Sequence, residues 1–253
     1  TLLTRVYWAP IMSTALHRLS WNGVCVAFTV FGLGCSSYPA DQSAWDALVS
    51  DDMVTVERVD DLTAFLPVNP PSDRAIAFYP GAKVEPEAYA PLLRLLAEQG
   101  VASVLVSMPS DLAVLAPKKG DRALDEFGEL GPWYAAGHSL GGAMAATWFS
   151  KRLDELNGLA LLASYPGGGN DLSNIAHPVV SITASNDRVL DREKWRERKA
   201  NLPNDTLYVD IEGGNHAGFG AYGPQDGDGR ATLCPKEQWQ WTVDVLLDWV
   251  EQP

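Results

Sequence analysis

A chain of 253 residues, 46% of them hydrophobic, is long enough for one α/β domain or two small ones and can bury a large core. Its formal net charge is -13 with no basic run, which argues against nucleic acid, because phosphate contacts need clustered Lys and Arg, and against an anionic membrane surface. The three cysteines, Cys25, Cys35 and Cys234, form no C-x-x-C pair, so neither a zinc site nor a disulfide framework is implied.

The stretch from Gly23 to Gly34 is almost wholly apolar, but too short for a membrane span of about 20 residues. His17 and Arg18 precede it and Cys35-Ser36-Ser37 follows it, the order of a secretory signal. Leu33-Gly34-Cys35 is also similar to the end of a bacterial lipoprotein signal, although Gly32 stands where that pattern usually has leucine. A lipidated Cys35 would tether the protein to a membrane by one residue. A buried N-terminal strand or helix is the alternative. The expected organisation is a signal-like segment over 1–35, a polar tether over 36–50 and one domain over 51–253. The expected location is outside the cytoplasm, with or without the lipid anchor, or cytoplasmic if the segment is no signal.

Thr55–Val59 and Leu62–Val68 are short β-type runs around Asp60-Asp61 and predict a hairpin. Arg74–Tyr79 predicts a buried strand that stops at Pro80-Gly81. Pro86–Gln99 predicts a helix, with Pro near its start and Gly100 past its end. Ala102–Met108 is the next strand, and residues 109–131 form a connection with a short helix around Arg122–Phe127. Trp133–Ala136 is a strand, and an Ala-rich helix runs from Gly142 to Ser150. Further strands fall at Gly158–Ala163, Val179–Thr183 and Thr206–Ile211. A charged, solvent-facing helix covers Asp191–Ala200, and Pro235–Val250 closes the chain. Apolar strands alternating with helices predict a mostly parallel sheet covered on both faces.

Gly137-His138-Ser139-Leu140-Gly141 lies between the Trp133 strand and the Ala-rich helix. In a strand–turn–helix setting the serine of G-x-S-x-G sits on a strained turn with its hydroxyl exposed. A serine hydroxyl needs a base within reach and a carboxylate to orient that base. Of the four histidines, His17 lies in the signal-like segment, His138 points away from its neighbour's task and His177 precedes a proline. His216, in the flexible run Glu212–Gly218 after the last strand, is the expected base. Asp187, beyond the Val179 strand, is the expected acid; Asp171 and Asp191 are the alternatives, with turn or helix capping as their ordinary role. The expected oxyanion donors are the N–H groups of Leu140 and Ala82. Lys83, Tyr165 and Tyr222 are candidate substrate contacts by position. Asp226-Gly227-Asp228-Gly229 hints at calcium, but Arg230 and Ala231 occupy positions that would need an oxygen ligand and a glycine, so a plain turn is expected and no metal.

From about residue 70 to 253 the chain resembles the α/β-hydrolase superfamily. Its compact form resembles the lidless, dienelactone-hydrolase-like members, with serine in place of their cysteine, and several blocks are similar to a family of bacterial α/β-hydrolases of loosely defined substrate. Phe78-Tyr79-Pro80-Gly81, Glu87–Pro91, Gly137–Gly142, Ala163–Pro166, Gly213–Ala217 and Tyr222–Gln225 carry the resemblance. It implies an α/β-hydrolase fold without a cap domain, a Ser139-Asp187-His216 triad and hydrolysis through an acyl-enzyme. Ala82 departs from it, standing where a second glycine is common. The Gly-rich stretch between Ala163 and Pro178 is too short for a helical lid, so an open pocket is expected. The expected function is hydrolysis of a small-molecule carboxylic ester, with no cofactor. Thioester or amide hydrolysis on the same triad, and a binding protein that kept the fold without turnover, are the alternatives.

Overall fold

The apolar runs pair into one eight-stranded sheet in the computed structural model, which describes residues 37–251. Its strands are β1 (Val54–Val59), β2 (Leu62–Pro67), β3 (Ala75–Tyr79), β4 (Ala102–Val106), β5 (Trp133–His138), β6 (Leu156–Leu162), β7 (Val179–Ala184) and β8 (Leu207–Ile211). They lie in the order β1-β2-β4-β3-β5-β6-β7-β8. Strand β2 is antiparallel to β1 and β4, and every other pair is parallel. The predicted hairpin is thus the antiparallel edge of an otherwise parallel sheet.

Among the described residues, six α-helices accompany the sheet: α1 (Gln42–Asp46), α2 (Ala90–Glu98), α3 (Asp121–Glu126), α4 (Leu140–Phe149), α5 (Arg192–Arg198) and α6 (Pro235–Val250). Strands β3, β4, β5 and β7 are buried at every position, as a sheet covered on both faces requires. Successive side chains go to opposite layers. Ile76 and Phe78 join one core with Leu92, Leu93, Leu246 and Trp249 of α2 and α6. Ala75, Ala77 and Tyr79 join the other, with Ala145, Trp148 and Phe149 of α4. Each such large apolar side chain, fully buried, stabilises by about 1.5–3 kcal/mol.

Local signals end the elements as expected. At the end of α2, Gly100 has φ 92°; its N–H bonds Ala97 C=O at 3.0 Å, and the Val101 N–H bonds Leu96 C=O at 3.1 Å. That pair of bonds satisfies two orphan carbonyls, and only a residue comfortable at positive φ allows it. The predicted Pro86 start is a 3-10 turn, Pro86–Tyr89, before the α-helix proper.

Two expectations need separate treatment. The signal-like segment over 1–35, with Cys35, lies outside the described residues. Among the described residues, no helix is long and apolar enough to cross a membrane. The tether expected over 36–50 is corrected from residue 37 onward, because this stretch packs on the domain. Tyr38 bridges Val84, and the Asp41 carboxylate accepts Ser43 N–H at 2.9 Å to cap α1. Ala44 and Ala47 are buried, and Arg94 of α2 donates to Val49 C=O at 2.6 Å. The signals were a capping Asp and two alanines three apart, too weak to outweigh the polar composition around them.

The turn from β5 into α4 passes tightly under the end of β3. A Cβ built on Gly141 would stand 2.1 Å from Pro80 O and 2.3 Å from Tyr79 O, both backbone atoms that cannot swing aside. Gly141→Ala is therefore expected to destabilise the fold by about 2–4 kcal/mol, read from the midpoint of urea unfolding.

Candidate active site

Ser139 joins β5 to α4 with φ 54° and ψ -126°. Its N–H bonds Leu162 C=O at 2.9 Å and its C=O accepts the Ser164 hydroxyl at 2.7 Å, so β6 and the loop after it hold the strained residue. Lys83 (φ 57°), Ser110 (φ 52°), Asp111 (φ 53°) and Ala163 (φ 45°) share the left-handed region in the loops after β3, β4 and β6. Strain of this kind costs about 1–3 kcal/mol per residue and gathers where a site is held in shape. Here it gathers along the sheet edge that carries Ser139.

The structure brings Asp187 and His216 together. His216 Nδ1 lies 2.9 Å from Asp187 Oδ2, and both side chains are buried. The other carboxylate oxygen accepts Val189 N–H at 2.8 Å and Leu190 N–H at 2.9 Å. Burial pushes the Asp187 pKa up. The His216 hydrogen bond and charge, with the two backbone N–H groups, outweigh it and hold the carboxyl below its ordinary range. An ionised carboxylate only accepts, so Nδ1 carries a proton and donates it to Asp187. The alternative acids do other work: Asp191 caps α5 by accepting Lys194 N–H at 3.0 Å, and Asp171 accepts Ser173 N–H at 3.0 Å.

In the loop after β3, Gly81 N–H bonds the Tyr89 hydroxyl at 3.0 Å and Lys83 N–H bonds Asp111 C=O at 2.9 Å. Between them the Ala82 N–H has no acceptor among the described residues. Leu140, the first residue of α4, likewise has an N–H without an intrahelical partner. The two expected oxyanion donors are therefore both unspent.

Ser139, Leu140 and His216 line one cavity of about 370 Å³ with Met144, Tyr165, Val189, Leu190 and Asp191. Tyr165 is thus where position suggested. Lys83 and Tyr222 do not line this cavity. Lys83 is exposed on the strained turn; Tyr222 is buried, with its hydroxyl donating to Gln225 at 3.0 Å and its ring 5.8 Å from that of Tyr38. A larger cavity of about 460 Å³ lies behind the His216 loop and contains neither Ser139 nor His216, so size does not mark the site. Among the described residues, no group of His, Cys, Asp and Glu is arranged to hold a metal.

Sequence reasoning missed three supports. Asp228, in the turn weighed for calcium, accepts Ala217 N–H at 2.9 Å and Arg188 N–H at 3.3 Å, tying the residue after His216 to the residue after Asp187. Gln238 of α6 accepts Asn215 N–H at 3.0 Å and donates to Asn215 C=O at 2.8 Å, fixing the residue before His216. His138 turns toward the site's support: its Nδ1 is 2.8 Å from the Tyr89 hydroxyl and its ring centroid 4.5 Å from that of His216. None of these has a local signature, since the hydrogen-bonded partners are 11 to 49 residues apart.

Residues 75–240, well over half the chain, match the model of the alpha/beta hydrolase family. The chain belongs to that family, and its activity class is hydrolase. Among solved structures it is similar to a predicted CIB-like hydrolase from Thermoplasma acidophilum, at 16% identity and a TM-score of 0.57, over 77% of this chain and 98% of that one. Est1E from Butyrivibrio proteoclasticus is similar at 15% identity and a TM-score of 0.55, over 79% of this chain and 100% of that one. An α/β hydrolase from a lagoon-sediment metagenome gives 14% identity and a TM-score of 0.58, over 78% of this chain and 98% of that one. At these identities the likeness concerns the fold. No curated protein sequence matches the chain significantly.

Burial, then the neighbouring His216, holds the His138 pKa well below 6.5. Above pH 6.5 neither the folded nor the unfolded chain protonates this histidine. Below it the unfolded chain does and the folded chain does not, so stability falls with pH, by up to about 1.4 kcal/mol per unit. Between pH 7.5 and 5.5, wild type is expected to lose about 1 kcal/mol more unfolding free energy than His138→Phe, measured by urea titration.

Proposed function

We propose that the protein is a serine hydrolase that cleaves small, uncharged carboxylic esters through an acyl-enzyme. The observation that carries this reading is the buried 2.9 Å bond between His216 Nδ1 and Asp187 Oδ2, on a ring that lines the same cavity as Ser139. Ser139 Oγ attacks the ester carbonyl while His216 Nε2 takes its proton. Asp187 holds the imidazole in the required tautomer and stabilises the imidazolium that forms. The N–H groups of Leu140 and Ala82 receive the oxyanion of the tetrahedral intermediate. The intermediate collapses, the alcohol leaves with the proton from His216, and the acyl group remains on Ser139. Water, deprotonated by His216, then attacks the acyl-enzyme and frees the acid and the serine.

The preference for uncharged esters comes from the lining. Among the described residues no Lys or Arg lines the cavity, Asp191 sits at its exposed side, and the chain carries a net charge of -13. A second negative charge on the substrate would meet a mostly apolar lining and the repulsive net charge of the chain, and the cation at the rim, Lys194, is already paired with Asp191 at 3.2 Å.

Ser139→Ala is expected to lower kcat on p-nitrophenyl butyrate by more than about 10⁴-fold, and Asp187→Asn by about 10⁴-fold with the fold intact by circular dichroism. Full turnover by Ser139→Ala sinks the reading. In a separate comparison, kcat/KM for the p-nitrophenyl hemi-ester of succinic acid should fall at least about tenfold below that for the butyrate, with the gap narrowing as salt is added.

A further inference from the structure

The sequence setting of His138 makes it an incidental neighbour of the serine, yet its side chain is wholly buried, in a chain of contacts that ends at the backbone next to an oxyanion donor. The proton roles along that chain follow from elementary bonding. Gly81 N–H can only donate, so at 3.0 Å the Tyr89 oxygen accepts from it. The Tyr89 hydroxyl proton then goes to His138 Nδ1, 2.8 Å away, which must be the bare nitrogen of the ring. The remaining ring proton sits on Nε2, which is buried and interacts with the His216 backbone. Burial, more than the neighbouring His216, keeps this imidazole neutral, as that arrangement requires.

Gly81 is shaped to the same contact. A Cβ there would stand 2.7 Å from the Tyr89 oxygen and 2.9 Å from His138 Nδ1, so any side chain would break the chain open. On its far side the His138 ring meets His216 at 4.5 Å and Phe219 at 5.4 Å between centroids. One buried imidazole therefore touches both the base and the support of the oxyanion loop.

We propose that Tyr89 and His138 are positioning residues: a buried hydrogen-bonded strut from Gly81 through Tyr89 to His138 sets the direction of the Ala82 N–H and backs the His216 ring. With Gly81 N–H drawn inward to Tyr89 and Lys83 N–H bound to Asp111, the Ala82 N–H between them is left without an acceptor among the described residues. Releasing the Gly81 peptide lets the Ala82 N–H drift, and an oxyanion donor loses its effect within a few tenths of an ångström. The inference rests on the esterase reading and deepens it.

The test is Tyr89→Phe, which keeps the ring and removes only the hydroxyl. On p-nitrophenyl acetate, kcat is expected to fall about 10- to 100-fold with KM within about twofold, since a transition-state contact is weakened and ground-state binding is not. Inhibition by a trifluoromethyl ketone, which forms a tetrahedral adduct on the serine, should weaken by the same factor. His138→Leu should reproduce the loss, the double variant should be no worse than either single one, and His138→Asn, whose amide oxygen can accept near the Nδ1 position, should recover most of the rate. His138→Leu and His138→Asn also carry the test if Tyr89→Phe fails to fold. A folded Tyr89→Phe with kcat and inhibitor affinity within twofold of wild type overturns the strut, as does a double variant whose losses multiply. If wild-type protein neither hydrolyses the ester nor reacts with a fluorophosphonate, the esterase reading falls and the strut with it; wild-type turnover with an unaffected Tyr89→Phe removes the strut alone.

Discussion

The turn at Ser139 is the constraint from which the site is built. A residue with a side chain is held at φ 54° between a fully buried strand and the helix that follows. It stays there because the surroundings leave no room to relax. The helix start lies against the Tyr79 and Pro80 carbonyls, and a Cβ on Gly137 would stand 2.7 Å from the Gly141 carbonyl carbon. The Ser164 hydroxyl and the Leu162 carbonyl hold the serine's own peptide groups. Close packing of β3, β5 and α4 thus offsets the local strain, and the serine is presented at the sheet edge.

Around that turn, loops at the same end of the sheet carry the other candidate groups. The β3 loop carries the free Ala82 N–H, the β7 loop carries Asp187, and the β8 loop carries His216. Loops alone would be too soft to keep these groups in register. They are made stiff by bonds between loops: Asp228 joins the acid and base loops, Gln238 pins Asn215 from α6, and Tyr89 with His138 braces the β3 loop from beneath. The parallel sheet supplies the frame on which such loops meet at one edge, and the side-chain bonds supply the precision.

The fold reads readily from the sequence because its signals are local. Apolar runs, Pro86 and Gly100 around α2, and the glycines at 137, 141 and 142 act over a few residues each. The strand order and the antiparallel placement of β2 are less visible, because nothing in Leu62–Pro67 says which strand lies beside it. The short helix at Gln42–Asp46 hides among polar residues, and only its docking under Arg94 makes it stable. Lys83 and Tyr222 illustrate the limit for the pocket: a residue adjacent to a functional loop in sequence can face solvent or the core, and which of these occurs depends on a turn no longer than two residues.

What the sequence by itself determines is the alternation of strands and helices and the serine's sharp turn, since periodicity and glycine spacing are properties of adjacent residues. The tertiary structure alone decides which groups support them. Tyr89 and His138 are 49 positions apart, and Asp228 and Arg188 are 40 apart, so no local pattern announces either pair. Their bonds exist because the sheet carries distant loops to one edge, where a buried polar group must find a partner or cost the fold its desolvation.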